Sequence, residues 1–189
     1  MQPSRRSPAA PLAAALVLLA ACTERTTAPA TSTLEAGPRY VALAADVTHT
    51  VRLMDACDPR TFTPCARDAG GGVSSDNFFR QLEATGQVGA WHMAPAQVNA
   101  LVGQTLLAVN VGGRQHTFTE VEQFGGGIVP ILNQLSGNTT PAAECLALAP
   151  SDLLDPGEST SEVLDEEGTE LYQCCIHPWM RMTLQVHEH

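Results

Sequence analysis

The nine residues 172–180 constrain this chain more than any other stretch. They read Tyr-Gln-Cys-Cys-Ile-His-Pro-Trp-Met and place a thiol, an imidazole and a thioether at Cys174, His177 and Met180. Sulfur ligands are soft, and imidazole suits several first-row transition metals. Three such donors so close together predict a metal site carried mainly by one tight loop.

A second histidine upstream would complete a set of four donors. His116 follows the glycine turn Gly112-Gly113, just before a short stretch that predicts a strand. One thiolate, two imidazoles and a weak axial thioether are the ligands of blue-copper sites. We therefore predict one type 1 copper ion held by His116, Cys174, His177 and Met180.

These motifs resemble those of the cupredoxins, in their small plastocyanin- and amicyanin-like branch. The resemblance covers about residues 91–189 and is most specific at the C-terminal end. It is carried by Val102-Gly103-Gln104-Thr105, Asn110, His116, Gly168, Thr169, Tyr172, Cys174, His177, Pro178, Trp179 and Met180. It implies an all-β fold, a Greek-key β-sandwich of the cupredoxin type.

The resemblance also implies roles for residues around the four ligands. Pro178 and Trp179 are expected to stiffen the ligand loop and keep it dry, because the surroundings of a metal help to set its redox potential. Thr117 stands where cupredoxins commonly carry an asparagine that buttresses the thiolate. This departure bears on the potential and on the rigidity of the site.

The first 21 residues resemble a bacterial lipoprotein signal. Arg5 and Arg6 precede an apolar stretch at 12–20 that is too short to span a bilayer. Leu-Ala-Ala-Cys at 19–22 resembles the lipobox, which implies cleavage before Cys22 and a lipid on that residue. Ordinary secretion without a lipid is the alternative.

Cysteine counting also favours export. If Cys22 is lipidated and Cys174 binds copper, four of the six cysteines remain, an even number suited to an oxidising compartment. We expect the disulfides Cys57–Cys65 and Cys145–Cys175. Neighbouring side chains on a strand point to opposite faces, so Cys174 and Cys175 cannot both face a metal. The rival is a disulfide between these two neighbours, which would destroy the copper site.

Charge limits the class of partner. The chain has ten basic residues, all arginine, against twenty acidic ones, and a net charge of −10. This balance argues against nucleic acid, whose phosphates require a basic surface. Residues 144–170 carry nine acids and no arginine, which predicts a solvated acidic face able to steer a basic redox partner.

The chain divides into four predicted parts. Residues 1–21 form the signal peptide and 22–39 a flexible Thr/Ala/Pro-rich tether. Residues 40–86 form an N-terminal extension, with the Cys57–Cys65 loop and a short helix at 76–84 capped by Ser75. Residues 87–189 form the copper domain. Within it, the glycine- and proline-rich stretch 124–150 predicts loops and departs from the cupredoxin pattern.

The resemblance implies a one-electron carrier in the periplasm or cell envelope, anchored to the membrane by lipid, rather than an enzyme. Its partner would be a redox protein such as a cytochrome or an oxidase, reached through an exposed edge of His177 near Pro178 and Trp179. Copper storage or delivery without electron shuttling is the alternative. Zinc is disfavoured because it seldom takes a thioether such as Met180.

Overall fold

The computed structural model describes residues 46–67 and 71–189. The predicted signal peptide, Cys22 and the tether at 22–39 lie outside these residues. Among the helices in the described part, none is long and apolar enough to cross a membrane.

The described chain consists mainly of short strands. The strands are β1 Thr48–Met54, β2 His92–Ala94, β3 Gln97–Leu101, β4 Thr105–Asn110, β5 His116–Thr117, β6 Thr119–Val121, β7 Leu153–Leu154, β8 Ser159–Val163, β9 Gly168–Gln173 and β10 Arg181–His187. The helices are α1 Ser75–Thr85 and α2 Pro130–Leu135, with 3₁₀ turns at Glu144–Ala147 and Pro150–Asp152.

The strands form two four-stranded sheets. The first has the order β2-β1-β4-β8, the second β3-β10-β9-β6, and β5 and β7 form a separate ribbon. The pairs β1–β4 and β3–β10 are parallel, whereas β9–β10 and β4–β8 are antiparallel. The predicted all-β architecture of two sheets is confirmed.

The larger of two hydrophobic clusters in the described part of the chain lies between the sheets. Strand β10 buries every second residue, Met182, Leu184 and Val186, as expected when one face of a strand is covered. Leu53 of β1 and Leu106 of β4 belong to the same core cluster. Burying a side chain of this size contributes roughly 1.5–3 kcal/mol.

The sandwich begins earlier than the sequence predicted. The sequence predicts a start at residue 87, but β1 lies inside the first sheet, hydrogen-bonded to β2 on one side and β4 on the other. Its alternation explains this placement, because Val51 and Leu53 are fully buried while Arg52 between them faces outwards. Part of the predicted extension therefore lies within the sandwich.

The predicted short helix is present with slightly different ends. Ser74, rather than Ser75, is the N-cap, and its Oγ accepts a hydrogen bond from the Asn77 N–H at 3.3 Å. Gly86 ends the helix in the left-handed conformation, φ 71°, which glycine adopts without a steric penalty. Phe78 and Leu82 are buried in the core.

Candidate metal centre

Three predicted ligands converge at one end of the sandwich. The Nδ1 atoms of His116 and His177 each lie 3.7 Å from the Cys174 Sγ. The three donor atoms are all within 4.8 Å of one another. His116 and Cys174 are 0% exposed and His177 is 5% exposed. Two imidazoles and a thiol that face one another in a dry site fit a single transition-metal ion.

The local fold explains how these side chains meet. His116 begins β5, and Cys174 directly follows β9. The strands therefore bring together two residues that are far apart in the sequence. The Cys174 N–H donates to the Met180 carbonyl at 3.0 Å, and the Met180 N–H donates to the His177 carbonyl at 2.9 Å. These bonds close the loop that carries Cys174, His177 and the fully buried Met180. The donor set fits one type 1 copper ion.

The two histidines prepare Cys174 to be a thiolate. Burial by itself raises the pKa of a thiol, but here the hydrogen bonds with His116 and His177 outweigh burial. The pKa of Cys174 is therefore held well below its ordinary value. A thiolate is the form of cysteine that binds metal.

Thr117 connects the two ligand-bearing segments. Its backbone N–H donates to the Cys174 Sγ at 3.4 Å, and its Oγ1 accepts from the Cys175 N–H at 2.7 Å. Thr119 Oγ1 donates to the same hydroxyl at 3.0 Å. The threonine thus ties the strand of His116 to the segment that carries Cys174 and Cys175.

Thr117→Val should lower the stability of the protein but keep the hydrogen bond from the residue 117 backbone N–H to the Cys174 Sγ. Valine keeps the shape and the backbone N–H, but it leaves the buried Cys175 N–H without an acceptor, a loss of about 1–3 kcal/mol. Denaturant unfolding of the copper-free protein measures the change. Thr50→Val, at an exposed position of β1, is the control and should change little. Equal stability of the two variants would contradict the role of the Thr117 hydroxyl.

Asp55 contacts the metal centre and was not found by sequence reasoning. Its Oδ2 lies 2.9 Å from the His116 Nε2, and both side chains are 0% exposed. Burial lowers the pKa of a histidine, but the hydrogen bond to Asp55 outweighs it and raises the pKa of His116 to about 9. For Asp55, burial is outweighed chiefly by the His116 hydrogen bond, so its pKa is about 2. No sequence motif marks Asp55, rather than nearby Asp58, as the partner of His116.

His177 is covered, contrary to the prediction of an exposed edge. The ring centroids of Trp179, Phe78 and Trp91 lie 5.6, 6.4 and 6.4 Å from that of His177. Helix α1 supplies Phe78, so part of the aromatic cover comes from the predicted N-terminal extension. Pro178 is buried and Trp179 is half-buried. His177 lines the wall of an apolar cleft of about 230 Å³.

The cysteine pairs in the structure are those expected from the sequence. Cys57 is bonded to Cys65, and Cys145 is bonded to Cys175. Cys174 is the free cysteine of the described residues. Because Cys175 is paired with Cys145, the rival disulfide between Cys174 and Cys175 is not formed in this structure.

A scan against protein-family models and a search of curated proteins each found no match to the chain. Among solved structures, it aligns with a purple cupredoxin from Nitrosopumilus maritimus at 17% identity, covering 73% of this chain and 98% of that chain, with a TM-score of 0.42. Plastocyanin from Dryopteris crassirhizoma aligns at 15% identity, with 74% and 100% covered and a TM-score of 0.39. A point mutant of amicyanin in its Cu(I) form aligns at 19% identity, with 51% and 73% covered and a TM-score of 0.34. Likenesses at these levels assign no function.

Proposed function

We propose that this protein is a type 1 copper protein of the cupredoxin kind that carries single electrons in the cell envelope. The observation that carries the proposal is the convergence of the His116 and His177 Nδ1 atoms on the buried Cys174 Sγ. Met180, fully buried on the same loop, would supply a fourth donor, a weak thioether. A bound copper ion would supply the one-electron redox couple.

The surroundings of the ligands favour electron transfer over substrate chemistry. Hydrogen bonds with the backbone of Thr117 and Met180 fix the Cys174 segment, so the donors need little rearrangement when the charge of the site changes. Aromatic rings and buried Pro178 exclude water around His177. A dry, rigid donor set is suited to repeated oxidation and reduction.

The partner is proposed to be a basic redox protein such as a cytochrome or an oxidase. The apolar cleft beside His177 offers an approach to the ligands. The acidic stretch 144–170 would attract positive charge over a longer range and raise the association rate, an effect that salt weakens. No contact with nucleic acid is expected.

We propose a lipid anchor at Cys22 for this carrier. Cys22→Ala should release the protein from membranes, because a single residue would bear the lipid. Membrane fractionation after a salt wash measures the change. A variant that still sediments with membranes would contradict the anchor but not the copper site.

The electron-carrier function is tested by voltammetry of the copper-loaded protein. We expect a reversible one-electron wave for the wild type. Met180→Leu should keep the wave but move it to higher potential, because the axial ligand tunes the potential. A protein that binds copper without any reversible wave would instead favour storage or delivery.

A further inference from the structure

The carboxylate of Asp55 is the centre of a buried hydrogen-bond network next to His116. Its Oδ2 accepts from the His116 Nε2 and from the Arg114 N–H, each at 2.9 Å. Its Oδ1 accepts from the Cys57 N–H at 3.1 Å. These donors surround a carboxylate whose side chain is 0% exposed. The network fixes the carboxylate in one position.

The chain around Asp55 is shaped to bring it to His116. A Cβ atom added at Gly112 would lie 2.1 Å from the Asp55 Oδ2, and one added at Gly113 would lie 2.7 Å from the Cys57 Sγ. Because Gly112 and Gly113 have no side chain, the loop that carries Asp55 can lie against the turn before His116. The Cys57–Cys65 disulfide and the bond from the Ala66 N–H to the Gly113 carbonyl, 2.8 Å, hold that loop against the turn.

Within the described residues, no arginine side chain forms an ion pair with the Asp55 carboxylate. Arg67 Nη1 donates to the Asp55 backbone carbonyl at 3.1 Å, and Arg114 Nη1 donates to the Pro64 carbonyl. The ion-pair partner of Asp55 in this part of the chain is His116. When His116 binds a metal through Nδ1 it is neutral, so the carboxylate keeps a full negative charge at the metal centre.

We propose that Asp55 is a positioning residue that holds His116 with its proton on Nε2 and its Nδ1 towards the metal, and that its buried charge favours the oxidised state. The inference rests on the proposed copper function. With the Cys174 thiolate and the Asp55 carboxylate, Cu(II) gives a neutral centre, whereas Cu(I) leaves an excess negative charge. A buried net charge is unfavourable. Without the Asp55 carboxylate, the centre would be neutral with Cu(I) and would carry one positive charge with Cu(II).

The test is the reduction potential of Asp55→Asn. The variant keeps the size of the side chain and removes the charge. Mutation of a carboxylate that is hydrogen-bonded to a ligating histidine typically lowers metal affinity 10–100-fold. In Asp55→Asn we therefore expect the affinity for Cu(II) to fall about tenfold relative to the affinity for Cu(I). For a one-electron couple, a tenfold change raises the potential by about 59 mV. A purely structural residue would lower stability without this shift.

Asp58→Asn is the matched control. Asp58 lies in the same loop and is 5% exposed, but it binds Arg60 rather than a ligand. Its removal should leave the potential unchanged. Equal potentials for wild type and Asp55→Asn would overturn the inference while leaving the copper function intact. A wild type without an intense copper–thiolate band would overturn the copper function, and this inference with it.

A second measurement applies if Asp55→Asn does not fold. In the wild-type Cu(I) protein, a buried Nε2–H bonded to Asp55 should give a ¹⁵N–¹H correlation that exchanges slowly with water. Slow exchange would support the role of Asp55 as the partner of His116. A His116 Nε2–H that exchanges rapidly, or a proton on Nδ1, would overturn it.

Discussion

Cys174→Ser should abolish the intense visible charge-transfer band of the Cu(II) protein while leaving the sandwich folded. That band requires a thiolate bound to Cu(II), and Cys174 supplies the thiol on which both histidine Nδ1 atoms converge. A serine hydroxyl is a hard oxygen donor and does not replace a soft thiolate. Absorption spectra with Cu(II) and circular dichroism of the same samples measure both effects.

The control removes the neighbouring disulfide instead of the thiol. Cys145→Ser with Cys175→Ser eliminates that disulfide and leaves Cys174 in place. This double variant should keep the band but lose about 2–5 kcal/mol of stability, as is typical when a native disulfide is lost. If the double variant is colourless and Cys174→Ser is blue, the ligand assignment is wrong by one residue.

Gly127→Ala should be among the most damaging single-methyl changes in the domain. The added Cβ would lie 1.8 Å from the Cys175 carbonyl oxygen, which also accepts the Ile128 N–H at 2.7 Å. Since the clash is with backbone, it can be relieved only by moving the Gly127 segment or the segment that carries Cys174 and Cys175. We expect a loss of about 3 kcal/mol, the upper end for overpacking, together with weaker Cu(II) binding.

Gly89→Ala is the matched control for the glycine variant. An added Cβ at Gly89 meets no atom within 4 Å, so its stability should stay within about 0.5 kcal/mol of wild type. Denaturant unfolding with and without copper compares the two. A Gly127→Ala protein as stable as Gly89→Ala would contradict the close packing of Gly127 against the backbone of Cys175.

The spacing of residues on one loop explains why so much of the site could be predicted. Cys174, His177 and Met180 lie within seven consecutive residues. Their proximity therefore follows from their small separation in sequence. The opposite orientation of Cys174 and Cys175 follows from strand geometry. The alternation in β10 likewise follows from which residues are apolar.

The contacts that the sequence did not predict join distant parts of the chain. Asp55 and His116 are separated by 61 residues, and Asp58 would have been an equal candidate by sequence. The cover over His177 depends on where α1 packs, and the amphipathic pattern of α1 says only that Phe78 is buried somewhere. The place of β1 in the first sheet is not evident from the sequence, because its parallel partner β4 is not adjacent to it in the chain.

The copper-binding claim is tested most directly by titrating the purified copper-free protein with Cu(II) and recording its absorption spectrum. We predict an intense visible charge-transfer band that grows linearly and stops at one Cu(II) per chain, because the described residues contain one group of converging His and Cys donors, His116, Cys174 and His177. Tight binding of Cu(II) without that band, or binding of several ions per chain, would contradict a type 1 site at Cys174.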